Sequence, residues 1–344
     1  MQRIVAVFIF ALILMAGAGN SGEGAAKKRK TTVKQAIVTR EEPIQPIPLY
    51  IELDERKVTL GEKLFYEVKL SKDNTVSCGT CHHLETNGTD NQVRSIGLGG
   101  AKGPINTPTV FNAGFNFRQF WDGRALSLQE QIDGPLHHPK EMGSNWVEVT
   151  GKLNRSPEYV AAFNAIYPQG IQEHTVKDAI AVFERSLYTP NSRFDRYLRL
   201  ENDAITAEEK EGYRLFKSVG CIACHQGVGI GGNMFQVFGV MRNYFADRGN
   251  LTEADYGRYN ITGRDRDRHV FKVPSLRNVE VTPPYLHDGS VNELEDIVDV
   301  MAKYQLGRKL NRRQVTLITK FLKTLTGEYE GKRLKLLKKI VRAK

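Results

Sequence analysis

Cys78-Gly79-Thr80-Cys81-His82 and, further along the chain, Cys221-Ile222-Ala223-Cys224-His225 are two copies of one pattern. Two thiols with two residues between them, followed at once by an imidazole, form the attachment pattern of a c-type haem. The spacing has a physical reason. The sulfurs reach the two vinyl groups of one porphyrin edge, and the next residue then lies under the iron and can ligate it. The chain has four cysteines, and these motifs use all of them. A bare pair of this spacing also suits a redox dithiol or half of a zinc site. Neither alternative explains a histidine directly after both pairs.

Around the motifs, 344 residues are enough for two domains, each with its own core. A hydrophobic content of 40% and a charged content of 26% are those of an ordinary globular protein. Met1-Gln2-Arg3, the apolar run Ile4 to Met15 and the small residues Ala16-Gly17-Ala18 read as a secretory signal peptide at 1–18. An uncleaved anchor is the alternative, although the run is short for a membrane span. Export agrees with haem attachment, which takes place outside the cytoplasm in bacteria, so we expect a periplasmic protein. The net charge of +10 suggests nucleic acid, but its distribution does not. Arg3 leaves with the signal peptide, four cations sit at Lys27–Lys30 and seven at 332–344. Without these ends the body is near −2. Solvated basic tails are the reading, and a nucleic-acid partner is excluded.

Residues 19–48 read as a flexible linker, Gly-, Ser- and Lys-rich and then kept extended by Pro43, Pro46 and Pro48. Thr59-Leu60-Gly61-Glu62 has capping-box form and predicts a helix from Thr59. Thr206-Ala207-Glu208-Glu209 repeats that form. Gly212-Tyr213-Arg214-Leu215-Phe216 then echoes Gly61-Glu62-Lys63-Leu64-Phe65, each ahead of a haem motif. Helical patterns cover Ala125 to Ile132, Trp146 to Leu153, Pro157 to Ile166 and Val176 to Leu187. Ser290-Val291-Asn292-Glu293 predicts a third capping box before Leu294, Ile297, Val298 and Met301, with Gly307 as the stop. Val315 to Leu325 marks one more helix, and strand signals are sparse. The expected fold is mostly α, with two cytochrome c-like haem domains packed together. The first spans 49–199 and the second 200–330, with Asn191 to Arg199 as the join and a basic amphipathic tail at 331–344.

Function depends on the sixth position of each iron. A methionine there raises the potential and closes the site for electron transfer, whereas an open position suits peroxide or oxygen chemistry. Met301 is the candidate for the second haem, although a methionine on an apolar stripe is more often core.

Longer stretches decide this. Phe271 to Asn278, Pro284 to Ser290 and Met301 to Gly307 resemble the second domain of bacterial di-haem cytochrome c peroxidases. Gly103 to Asn112, Gln119 to Ala125, Gly134-Pro135 and Glu141-Met142-Gly143 resemble the first domain. The resemblance covers about residues 50–328. It implies two covalently attached c-type haems, with Cys78, Cys81 and His82 holding the peroxidatic one. Cys221, Cys224, His225 and Met301 would hold the high-potential haem through which electrons arrive. Trp121 matches the tryptophan between the haems, Glu141 the acid above the peroxidatic iron and Gln131 a glutamine beside it. Asn106, Thr282 and Pro284 match contributors to an interdomain calcium site. The implied partners are hydrogen peroxide, an electron-donor cytochrome c or small copper protein, and a second copy of the chain in a homodimer. Membrane contact would be confined to the basic tail or an uncleaved N-terminus.

One position departs from the family. Many members carry a histidine after the Ser-Ile-Gly stretch that closes the peroxidatic iron at rest; this chain has Leu98 in Ser95-Ile96-Gly97-Leu98. Leucine cannot ligate iron, so the first haem is expected open when fully oxidised, unless His83, His137 or His138 substitutes. Of these, His83 lies beside the proximal ligand, and His137 and His138 read as solvent-facing. The alternative functions are a di-haem oxidase of the MauG type, whose tyrosine Met301 replaces, and a di-haem electron carrier with two closed irons.

Overall fold

The computed structural model describes residues 38–336. The expected signal peptide, the start of the linker and the end of the tail lie outside the described residues. The described chain is mostly helical. Its eleven α-helices are α1 (Glu55–Phe65), α2 (Leu128–His137), α3 (Trp146–Asn154), α4 (Pro157–Asn164), α5 (Glu173–Ser186), α6 (Arg193–Leu198), α7 (Ala207–Val219), α8 (Tyr244–Arg248), α9 (Tyr259–Thr262), α10 (Leu294–Tyr304) and α11 (Arg312–Lys323). Two short antiparallel ribbons accompany them. β1 (Phe235–Val237) pairs with β2 (Val270–Lys272), Gln236 opposite Phe271, and β3 (Glu328–Tyr329) pairs with β4 (Lys332–Arg333). Among the described residues no helix is long and apolar enough to cross a membrane.

Two large apolar cores follow the two halves of the sequence. One gathers Leu60, Leu64, Ile132, Leu136, Val149 and Ile180. The other gathers Phe194, Tyr213, Phe216, Val298, Ile318 and Phe321. Each is organised by a crossing of two helices that needs a glycine. A Cβ on Gly61 of α1 would lie 2.0 Å from the Ala179 carbonyl oxygen of α5, and one on Gly212 of α7 the same 2.0 Å from the Leu317 carbonyl oxygen of α11. Side chains are excluded where the two backbones touch. The echo between the two pre-motif helices is therefore a packing requirement stated twice.

The repetition extends into the loops. Asn112 and Asn278 both take left-handed backbone, with φ of 65° and 62°. The Asn112 amide donates to the Leu187 carbonyl and the Asn278 amide to the Leu325 carbonyl. Phe120-Trp121-Asp122-Gly123 and Leu286-His287-Asp288-Gly289 form the same turn. In each, the glycine amide donates to the carbonyl three residues back, and the aspartate oxygen accepts the amide two residues on at 3.1 Å. The turns are exchanged between halves: Asn106 donates its amide to the His287 carbonyl and Lys272 donates its amide to the Trp121 carbonyl, both at 2.8 Å.

Several boundaries differ from expectation, each for a local reason. Helix α1 starts four residues before Thr59, because the Asp54 carboxylate accepts the Arg56 amide and takes the cap; the Thr59 hydroxyl bonds back to the Glu55 carbonyl instead. The capping box at Thr206 and Glu209 forms as expected. The one at Ser290 does not: Ser290 belongs to the Asp288 turn, and α10 begins after Glu293 without a side-chain cap. Helix α2 begins at Leu128, capped by Ser127, since Ala125 is held by its bridge to Gln119. Asn191 to Arg199, expected to join domains, contains α6, and its Phe194 and Leu198 sit in the second core. Described linker residues are packed as well: Ile44 and Ile47 are fully buried. From the tail, Leu334 is buried beside Phe111 and Tyr329.

Candidate functional site

Both haem motifs open onto one cavity of about 900 Å³ with largely apolar walls. Each motif enters it in the same way. A single 3₁₀ turn, Cys78–Thr80 or Cys221–Ala223, brings the histidine amide to the carbonyl of the first cysteine, at 3.0 and 3.1 Å. His82 Nδ1 lies 2.9 Å from the Gly88 carbonyl and His225 Nδ1 lies 3.2 Å from the Ile230 carbonyl. A carbonyl can only accept, so Nδ1 carries the proton and Nε2 keeps its lone pair for a metal. Burial lowers the affinity of both rings for a second proton, that of His225 to about 4, with the carbonyl bonds opposing. Two neutral, oriented imidazoles result.

The cysteines are half-buried thiols, and desolvation pushes Cys78 and Cys221 up to about 12 and Cys81 to about 11. Such groups are poor thiolates. Among the described residues the one trio of metal-type ligands whose atoms converge is Asp255, His287 and Asp288, so neither motif gathers its own side chains into a zinc cage. A cation already serves that trio. Arg248 reaches Asp255 at 2.6 and 2.9 Å and Asp288 at 2.7 Å, while His287 Nε2 lies 2.7 Å from Asp255. Burial alone would raise the Asp255 carboxyl, but the Arg248, Thr252 and His287 bonds outweigh it and hold it well below the usual carboxylate range.

A porphyrin with carboxylate side chains fits these walls. The lining is apolar around two metal-ready imidazoles, and half-buried Lys272 offers a cation that meets no acid among the described residues. Its ammonium is lowered to about 8 by desolvation. The residues that would hold two haems are Cys78, Cys81 and His82, and Cys221, Cys224 and His225.

The other expected site residues also line the cavity. Met301 reaches it from α10, packed against the Phe238–Tyr304 aromatic cluster that also carries Trp121. Trp121 Nε1 donates to the Asn106 carbonyl at 3.0 Å. Gln131 lies on α2, and Glu141 follows its C-terminal end. The Glu141 carboxyl is raised by burial, with His138 and Arg124 opposing; its Oε1 is 3.6 Å from His138 Nδ1. Its backbone is clasped by the 95–103 loop. The Leu98 amide donates to the Glu141 carbonyl at 3.0 Å, and a Cβ on Gly97 would strike the Lys140 carbonyl at 2.2 Å. Leu98 turns toward Gly143 and is not on the cavity wall. Of the three substitute histidines only His138, expected to face solvent, lines the cavity; His83 and His137 do not. Asn106, Thr282 and Pro284 also line the cavity, and their oxygens are neutral, a donor type calcium accepts.

Two features were missed from the sequence. The His287–Asp255–Arg248 group backs Trp121, whose ring meets His287 edge-on at 6.4 Å. The repeated x-Asp-Gly turns could have pointed to it. Buried Glu184, on the cavity wall, carried no signal on an otherwise regular helix face.

Residues 55–203 match the family model of the di-haem cytochrome c peroxidases. The chain is 46% identical over 291 residues to cytochrome c peroxidase Ccp of Escherichia coli K12, covering 84% of this chain and 62% of that protein, less than two thirds of its length. It is 43% identical to cytochrome c551 peroxidase of Nitrosomonas europaea, covering 88% and 89%. A solved MauG-like protein associated with microbial copper homeostasis superposes with a TM-score of 0.73 at 29% identity, covering 85% of this chain and 95% of that one.

Proposed function

The chain belongs to the di-haem cytochrome c peroxidase family, and from that premise we propose that it reduces hydrogen peroxide to water beside His82 with electrons that enter beside His225 and Met301. The observation that carries this reading is an asymmetry between the two halves of one cavity. The second half presents a thioether, Met301, and the first presents an acid, Glu141, with Leu98 turned off the wall.

Bound in the two half-sites, c-type haem supplies the iron chemistry that takes up electrons and cleaves the O–O bond. His82 and His225 would hold the two irons through Nε2, each ring aimed by its carbonyl. Glu141 would take a proton from peroxide and return it to the departing oxygen, which leaves as water. Its raised carboxyl suits a group that must both take and give a proton. Gln131 orients the peroxide from α2. Trp121, fixed by its bond to Asn106, bridges the halves on the electron path. Over one turnover, peroxide, two electrons and two protons give two water molecules.

The donor fitting this scheme is a periplasmic cytochrome c or small copper protein that gives one electron at a time. Neutral oxygens from Asn106, Thr282 and Pro284 form a calcium site between the halves, completed by water. A MauG-type oxidase would carry tyrosine at Met301.

The test is steady-state peroxide reduction with a reduced cytochrome c. Glu141→Gln should lower the rate by about 10²- to 10⁴-fold, the usual worth of a positioned proton-transfer group. Equal rates in wild type and variant would remove Glu141 as the shuttle. Azide should bind the oxidised wild-type protein at the first haem. A purely low-spin spectrum that azide leaves untouched would show that His138 or another ligand closes that iron.

A further inference from the structure

Glu184 is the buried acid that the proposed reaction leaves unused. It lies in the last turn of α5, 7% exposed, on the cavity wall. Its Oε2 is sealed from solvent and has no hydrogen-bond partner among the described residues. The adjoining cluster is apolar: Phe65, Phe183, Leu187 and the Cys78 end of the first haem motif. A charged carboxylate in such a place is costly unless a partner arrives or a proton neutralises it.

The repeated architecture shows that this acid is peculiar to one half. Gly61 packs against Ala179 and the Phe183 Cβ, as Gly212 packs against Leu317 and the Phe321 Cβ. In that register Glu184 of α5 corresponds to Leu322 of α11. Leu322 is also buried and also lines the cavity. The position thus lines the cavity in each half, with a hydrocarbon in one and an ionisable group in the other.

We propose that Glu184 is the proton-linked group of the first haem, taking up one proton from solvent when that haem accepts one electron. In balance, a ferric haem beside a Glu184 carboxylate, one electron from the donor by way of the second haem, and one proton give a ferrous haem beside a Glu184 carboxyl. The only bond formed is O–H. The driving force is Coulombic: an added electron disfavours a neighbouring negative charge in a medium of low dielectric. Burial supports this by raising the carboxyl to about 8, with Arg185 opposing.

Other charges around α5 are engaged elsewhere. Lys57 of α1 pairs with Asp178 and Asp133 of α2 with Lys177. On the motif side Cys78 would end in a thioether, and His82 answers to Asp90 and His83. Arg185, next along α5, donates to the Gln129 side chain at 3.2 Å, and Lys63 of α1 pairs with Glu158.

The inference rests on the reading that a haem is attached at Cys78 and Cys81. The experiment is an optical redox titration of both haems in the holoprotein from about pH 6 to about pH 10, for wild type, Glu184→Gln and Glu184→Leu. The leucine variant installs what the other half already carries there, and the glutamine variant keeps the shape. For wild type, the first-haem potential should be level at the acid end. It should then fall by up to about 59 mV per pH unit, the one-electron value for a tenfold change in proton activity. The second haem should lack this bend, and both variants should lose it at the first. A level wild-type first haem, or a bend that persists in either variant, overturns the proposal. If the covalent haem content were one per chain and absent from Cys78 and Cys81, the functional reading would fall with it. Two haems and no bend would refute the proton linkage alone.

Discussion

His82 and His225 each spend one ring nitrogen on a backbone carbonyl, and this small commitment prepares the metal chemistry. It fixes the tautomer, stops ring rotation and leaves one lone pair pointing where the cavity lies. The two histidines are treated alike, so the difference between the metal centres lies in the rest of their surroundings. Met301 provides it at the second centre. A thioether favours the reduced iron, and Met301→Leu should lower the second-haem potential by on the order of 100 mV or more, within the roughly 0.8 V range that axial ligands span. Potentiometry of the reduced-band absorbance reads this directly. A potential unmoved by the substitution would mean that another residue holds that iron. The first-haem potential should stay where it was, because Met301 belongs to the α10 cluster and not to the His82 side.

Among the elements, the two helix crossings carry the fold. Gly61 and Gly212 sit where backbones meet, each leaving 2.0 Å between a would-be Cβ and a carbonyl oxygen on a partner helix. Neither contact can be relieved by turning a side chain, so Gly61→Ala and Gly212→Ala should each cost about 1–3 kcal/mol or more, the usual range for overpacking. The two costs should be similar because the two contacts are. Denaturant unfolding of the holoprotein checks this; a neutral Gly212→Ala would mean that α7 and α11 can slide apart at no cost. These glycines also mark what could be read in the chain. The five-residue echo, the haem motifs and the Thr206 box are local patterns, and all returned as structure. Thr59 offers the same chemistry as Asp54 five residues later, and only the folded chain decides which of them caps the helix. The role of His287 depends on Asp255 and Arg248, whose approach is set by the folded loops. The partnerless oxygen of Glu184 exists only once α5 is packed. The residues gathered in the cavity were legible through long family stretches, whereas spacing alone would have left Trp121 in a core and Glu141 on the surface.

For the molecule as a whole, the question is what holds segments far apart in sequence around one cavity. Arg277 is almost fully buried and answers much of it. Its guanidinium donates to Asp195 of α6 at 2.8 Å, to the Val228 carbonyl behind the second motif at 2.8 Å and to the Gln45 carbonyl of the N-terminal segment at 2.8 Å. Asp195 in turn accepts the Ile47 amide at 3.2 Å and the Ser192 hydroxyl at 2.8 Å. This is why residues expected to be a loose linker are buried: Ile44 and Ile47 flank backbone groups that the Arg277–Asp195 pair satisfies. A buried pair of this kind contributes little net energy when intact, but losing one partner strands the other charge. Arg277→Met should therefore destabilise the holoprotein by about 3–5 kcal/mol. Adding Asp195→Asn to it should cost less than the sum of the single changes, because the stranded charge is gone. A double-mutant cycle by urea unfolding measures the coupling, expected at about 1–3 kcal/mol for groups in one network. Additive costs would mean that the pair acts as two independent hydrogen-bonding groups, and that the N-terminal segment is held by its apolar contacts alone.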